Sequence, residues 1–283
     1  MATTKTIEVS CRRRSVRDDK EDRLVQIDPP NIFEDGPSAR ICLLITSNGL
    51  TTFSELRRIF PLNYGLYVNR VKLESPLNVA NLMNVADELP TAASEILPDI
   101  KVDAMAYTCT SGAMVLGSEN TRNLILIGRP DVTITSDPFT ASVAALRYLD
   151  CKRITVLAPY IKEANEKMFL ALQELGFEVV KYTGFGLSTD EEICRVPFAF
   201  IKKTVLNIFD SNLSDVLFIP CTSLVVTEHI DELESVIGRP VVTAIQALAW
   251  HLITSIARER EEDVPCIEGF GKLFKVQNDK LMI

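Results

Sequence analysis

A tripeptide that recurs at the end of an apolar run restricts this chain more than any other feature. Ala104–Ala113 reads AMAYTCTSGA and Val216–Val225 reads VLFIPCTSLV, so Cys-Thr-Ser follows an apolar run twice. Each copy leads to a Gly-Arg-Pro segment: Gly128-Arg129-Pro130-Asp131-Val132-Thr133 and Gly238-Arg239-Pro240-Val241-Val242-Thr243. From Cys to Gly the separation is 19 residues in the first copy and 17 in the second. Upstream, Arg40-Ile41 and Arg153-Ile154 open two further apolar runs, which reach turns at Ser47-Asn48 and Pro159-Tyr160. Landmarks in one order in both halves predict two related lobes that face each other across a pseudo-two-fold axis.

The local pattern gives the fold class. Ile41-Cys42-Leu43-Leu44-Ile45 is a short continuous apolar run ended by Thr46-Ser47-Asn48-Gly49. Such a run suits a strand buried on both faces, as in a parallel sheet. Similar runs occur at 104–107, 132–135, 154–157, 216–219 and 241–243. Helical spacing separates them: in Glu163–Leu175 the apolar Ala164, Met168, Leu172 and Leu175 share one face, and Gly176 is the stop. Strands alternating with helices predict an α/β fold with parallel sheets.

Composition narrows the function classes. The 283 residues are 47% apolar, enough for a sizeable core, and carry a formal net charge of −8. A net-acidic chain lacks the basic face that neutralises nucleic-acid phosphates or meets an anionic membrane, so neither is an expected partner. No apolar run approaches the ~18 residues that span a bilayer, and the N-terminus offers no apolar stretch for a signal peptide. A soluble, cytoplasmic protein is the expectation. Seven scattered cysteines without a CxxC pair, and only His229 and His251 beside them, offer no structural zinc set, so no metal is expected. Residues 1–38, polar and broken by Pro29-Pro30 and Gly36-Pro37, are expected to form a loosely docked arm.

The chemistry concentrates at the repeated tripeptide. In an open α/β sheet, ligands bind beyond the carboxyl ends of the strands, where Cys109 and Cys221 both fall. Two-fold symmetry directs both thiols at one cleft. Thr110, Ser111, Thr222 and Ser223 are expected at helix starts, where their hydroxyls and free N–H groups form an anion site for a carboxylate or enolate. A free thiol near pKa 8.5 is only about 3% thiolate at pH 7, and a helix N-terminus is expected to lower that pKa. A thiolate on one side and a thiol on the other suffice for addition or proton transfer without an organic cofactor. Cys42, Cys151, Cys194 and Cys266 are read as packing residues, the two histidines as surface or packing residues, and Trp250 as core. Gly184-Phe185-Gly186 lacks the third glycine of a dinucleotide turn.

From about Arg40 to Ile256 these motifs resemble the aspartate/glutamate racemase superfamily, and within it the maleate isomerase and arylmalonate decarboxylase branch. The resemblance rests on Cys109-Thr110-Ser111-Gly112, on Ala158-Pro159-Tyr160 with Asn165 after it, and on Pro220-Cys221-Thr222. It extends to Gly238–Thr243 and Gln246-Ala247-Leu248-Ala249-Trp250. It implies two flavodoxin-like lobes, 39–137 plus 247–283 and 138–246, with the last helix returning to the first lobe. It also implies a cofactor-independent enzyme, commonly a homo-oligomer, acting on a small carboxylate or amino acid. In maleate isomerases of this branch the first cysteine, here Cys109, adds to the double bond and the second, here Cys221, is the general acid. Racemases use both as a base and acid pair, whereas decarboxylases usually lack the first. Asn48 and Tyr160 resemble substrate-binding residues. Two departures stand out: Asn48 is followed by Gly49-Leu50, and a carboxylate-binding asparagine is replaced near Thr189-Asp190. An ionised Asp190 would repel a second substrate carboxylate or hold an ammonium. The expected function is maleate-type cis–trans isomerisation, with amino-acid racemisation or epimerisation as the alternative. An arylmalonate-type decarboxylase and a non-catalytic two-lobed binding protein follow behind.

Overall fold

The computed structural model describes residues 36–275. The arm expected over 1–38 therefore lies, up to residue 35, outside the described residues. Among the described residues, eight strands form two four-stranded sheets, all of whose pairings are parallel. The first holds β1 (Ala39–Thr46), β2 (Tyr64–Val71), β3 (Ala104–Tyr107) and β4 (Ile134–Ser136) in the order β2-β1-β3-β4. The second holds β5 (Arg153–Tyr160), β6 (Glu178–Leu187), β7 (Val216–Ile219) and β8 (Val241–Thr243) in the order β6-β5-β7-β8. One strand order used twice is the internal repeat expressed as topology. In each sheet the order reverses between the first and third strands, the crevice where open α/β sheets bind ligands.

Helices cover both sheets: α1 (Thr52–Ile59), α2 (Val79–Glu95), α3 (Thr110–Leu116), α4 (Ser118–Gly128) and α5 (Pro138–Tyr148) precede β5. After it come α6 (Lys162–Glu174), α7 (Asp190–Cys194), α8 (Phe198–Ile208), α9 (Ile230–Ile237) and α10 (Ala244–Glu259). No helix among the described residues is long and apolar enough to cross a membrane. The central strands are apolar along their middle because both faces are covered; Ile41, Leu43, Leu44, Ile45, Val156, Leu157, Leu217 and Phe218 are fully buried. α10 begins with a Thr243/Gln246 capping box and runs along α5, against α1 and β4. Trp250 lies in this seam, its ring 5.0 Å from that of Tyr148.

The repeated landmarks outside the tripeptide are structural. Asp103 accepts the N–H of Arg40 at 2.7 Å, and Asp215 accepts that of Arg153 at 2.8 Å, so one carboxylate seats the start of each leading strand. Arg129 is buried and donates to the carbonyls of Ile96, Leu97 and Ile100 ahead of β3; Arg239 donates to Ser211 O ahead of β7. Arg129 also pairs with Asp131 at 2.9 Å, and β4 starts at Ile134 rather than at 132 as the apolar pattern predicts.

Two further readings change. Cys266 is exposed, not packed. In the charged run 258–263, exposed except for the half-buried Arg260, that arginine bonds Ser38 O and Asp103, and Glu259 accepts from Thr133. The edge strands β2 and β6 are absent from the sequence reading altogether.

Candidate active site

β3 delivers Cys109 to the N-cap of α3, with extended φ −120° and ψ 117°. Its Sγ accepts the N–H of Gly112 at 3.4 Å and lies 3.7 Å from Ser111 Oγ. The second copy differs from the helix start that was expected. Cys221 follows Pro220 in a turn whose N–H returns to Ile219 O, and no helix begins until residue 230, after a short 3-10 turn at Thr227–His229. Here the side chains are used elsewhere. Thr222 Oγ1 donates to Thr108 O at 3.0 Å, Ser223 Oγ donates to Asp190 Oδ1 at 2.6 Å, and Ser223 N donates to Cys221 Sγ at 3.4 Å.

The Thr222 bond joins the lobes at the tripeptides themselves. Thr108 immediately precedes Cys109 and Thr222 immediately follows Cys221, so the two loops are tied backbone to side chain. A second bond, Leu77 N to Ser188 O at 2.8 Å, and a third, Thr227 N to Glu55 Oε2 at 3.3 Å, join the same halves. Tyr160, at the end of β5, is buried and its hydroxyl donates to Pro220 O, directly before Cys221. Asn165 holds that strand end by donating to Tyr160 O at 2.6 Å, and accepts from the Tyr182 hydroxyl. Gly184 leaves room for this contact, since a Cβ there would collide with the Asn165 amide.

Asp190, the first residue of α7, is placed by the Thr189/Glu192 capping box and is only 8% exposed. Thr110, Ser111, Thr222 and Ser223 are all buried, and Thr110 Oγ1 has no hydrogen-bond partner among the described residues. Asn48, in the turn after β1, donates its amide to Leu73 O and Ser75 Oγ, and so secures the loop after β2. Among the described residues, no three His, Cys, Asp or Glu side chains are grouped to hold a metal ion.

Electrostatics runs against the thiol pKa expected from the sequence. Burial, and then the Asp190 carboxylate, push the Cys109 thiol up, while Gly112 N–H and Ser111 pull it down less. The same two causes push Cys221 up to about 12. Burial also raises Asp190 itself, against the pull of Ser223. The short α3 provides its N–H donor, but desolvation of the charged form outweighs it. Alkylation of Cys109 by iodoacetamide should therefore be slow at pH 7 and rise beyond pH 9, because the thiolate is the reacting form. Asp190→Asn removes a like charge and should move that profile to lower pH. Peptide-resolved mass spectrometry reads both, with the exposed Cys266 in the same sample for comparison; an unmoved profile contradicts the assignment.

One residue of this site escaped the sequence reading. Tyr107 is fully buried, and its hydroxyl has no hydrogen-bond partner of normal geometry among the described residues. It lies over Gly112 and near enough to Cys109 for that thiol to raise its pKa. The available signal was alternation: residues 107 and 109 fall on one face of an extended strand. Gly112→Ala places a methyl against this hydroxyl and should cost about 1–3 kcal/mol of stability by overpacking, read by urea denaturation.

Known proteins carry the same plan. A family model described as arylmalonate decarboxylase matches residues 76–274. The maleate isomerase of Pseudomonas putida is 25% identical over 183 residues, covering 62% of this chain and 71% of its own. That of Nocardia farcinica is 21% identical over 249 residues, covering 83% and 95%. A solved structure of the Nocardia farcinica maleate cis-trans isomerase, a Cys-to-Ser mutant with a covalently bound succinylcysteine intermediate, superposes with a TM-score of 0.73. It is 20% identical and covers 85% of this chain and 99% of its own. With its two parallel four-stranded sheets and a family match over most of its length, the chain belongs to the arylmalonate decarboxylase family, an enzyme family that also holds the maleate isomerases it matches.

Proposed function

We propose that this protein is a two-cysteine isomerase of a small carboxylate, most like a maleate cis–trans isomerase, working without a cofactor. The observation that carries the reading is the Thr222–Thr108 hydrogen bond, which ties the two Cys-Thr-Ser loops together in one buried space. In the proposed reaction the minor thiolate fraction of Cys109, its proton released to solvent, attacks one alkene carbon, and a C–S bond forms as the π pair moves to the other carbon. Cys221, whose raised pKa keeps it protonated, delivers its S–H proton there. The former double bond is now single and rotates. The Cys221 thiolate takes a proton back, the pair re-forms the double bond, and the C–S bond breaks to return the Cys109 thiolate. Tyr160, Thr110, Ser111, Thr222 and Ser223 line the two cysteine loops and are proposed to orient the substrate.

A second reading, racemisation of an amino acid, draws support from Asp190, a buried carboxylate suited to an ammonium group. There one thiolate removes the α-proton and the opposite thiol returns one from the other face. Proton NMR in D2O separates the two, with maleate, aspartate and glutamate supplied in turn to the purified protein. Fumarate formed from maleate supports the isomerase. Loss of an amino-acid α-proton signal, with maleate untouched, replaces it by the racemase.

A further inference from the structure

Asp190 is a buried carboxylate without a counter-charge. Its one hydrogen bond among the described residues comes from the neutral Ser223 hydroxyl, on Oδ1, and no arginine, lysine or histidine pairs with it there. Buried charges are ordinarily paired, because leaving one unpaired in a poorly solvated site is costly. Nor is this carboxylate remote from the chemistry. Ser223 links it to Cys221, since the hydroxyl of Ser223 bonds Asp190 and its N–H bonds the thiol.

The opposite side of the site has the reverse character. Tyr107, whose hydroxyl reaches the Cys109 thiol, and Thr110, whose Oγ1 lacks a partner among the described residues, flank Cys109 in sequence and are buried. An unpaired hydroxyl, Thr110 Oγ1, stands next to Cys109, and a carboxylate without a counter-charge stands near Cys221.

We propose that Asp190 sets specificity: the site takes a small carboxylate whose second recognised group carries N–H donors, an amide or an ammonium, in place of a second carboxylate. Such a group satisfies the free oxygen of Asp190, whereas a carboxylate there meets a like charge across a short, poorly screened distance. The isomerase reading supplies the reaction in which this preference is expressed, and the preference rests on that reading for its substrate class.

The test separates binding from chemistry. Succinate and its mono-amide are saturated, so neither can be isomerised, and calorimetry on the full chain reads their affinities alone. The wild-type protein should bind the mono-amide about 10–100-fold more tightly than succinate. Asp190→Asn should remove or invert that preference. Equal or tighter binding of succinate by the wild type overturns the proposal, as does no binding of the mono-amide at millimolar concentration. The wild-type comparison decides even where the variant does not fold. Turnover of maleate and of its mono-amide is then followed by proton NMR. If the binding preference holds and neither is isomerised, the specificity assignment stands and the isomerase reading falls. Isomerisation of both with maleate preferred, and weakened by Asp190→Asn, sinks the specificity assignment and leaves the isomerase.

Discussion

Replacing Cys109 by alanine should abolish cis–trans isomerisation, with kcat reduced at least about 10⁴-fold, because no other side chain is proposed to form the bond to carbon. The loss should come with little change in fold. The thiol accepts one backbone N–H at the N-cap of α3 and a long contact from Ser111, so removing it costs about 1 kcal/mol, the scale of a helix cap. Circular dichroism and the melting temperature test that part directly. Serine should be no better than alanine, since an alcohol at that position is far less ionised than a thiol. The same variant discriminates among the candidate functions. Decarboxylation depends on Cys221 alone and would survive the loss of Cys109. Racemisation would retain exchange from one face only. An isomerase retaining full activity in Cys109→Ala would rule out the nucleophile assignment and the covalent route with it.

What could be read in the sequence follows burial. β1, β3, β5, β7 and β8 are central or covered strands, and continuous runs such as Ile41–Ile45 and Val216–Ile219 mark them directly. β2 and β6 each lie at one edge of their sheet and are half exposed along Tyr64–Val71 and Glu178–Leu187. Their mixture of Tyr, Gly, Asn, Arg and Lys has neither a continuous apolar run nor a clean alternation. The Gly-Arg-Pro repeat was legible as a repeat but not as a device. Only the fold shows Arg129 and Arg239 holding the loops ahead of β3 and β7.

The site divides on the same physical line. Identical tripeptides suggested identical helix starts, yet the residues that follow differ. Gly112-Ala113-Met114 continues as a helix behind Cys109, whereas Leu224-Val225-Val226 includes two β-branched residues after Cys221, and Thr222 and Ser223 bond to Thr108 and Asp190 instead. The thiol pKa failed for a related reason. A helix N-terminus is visible in sequence, but the depth of burial that outweighs it is a property of two lobes closing together. Tyr107 looked like another apolar strand residue because its hydroxyl acquires meaning only beside Cys109.

The complementary substitution, Cys221→Ser, should stall the reaction after attack rather than before it. Cys109 keeps its donors from Gly112 and Ser111, so the C–S bond can still form. What is lost is a proton donor matched to the carbanion and its conjugate base: serine is a far weaker acid than a thiol, and the step back to the alkene loses its base. Turnover should fall about 10²–10⁴-fold, the usual range for removing a general acid–base group. Intact-protein mass spectrometry after incubation should show a species heavier by one substrate molecule, and peptide mapping should place it on Cys109. Cys109→Ala should show no such species. The solved Nocardia farcinica Cys-to-Ser mutant with its succinylcysteine shows that an adduct of this kind can persist in a protein of this fold. Under a racemase mechanism no carbon–sulfur bond forms, so Cys221→Ser would give no added mass and would leave α-proton exchange on one face. An adduct on Cys109 excludes that mechanism for the substrate used, and the presence or absence of this single mass separates the two chemistries that paired, opposed thiols permit.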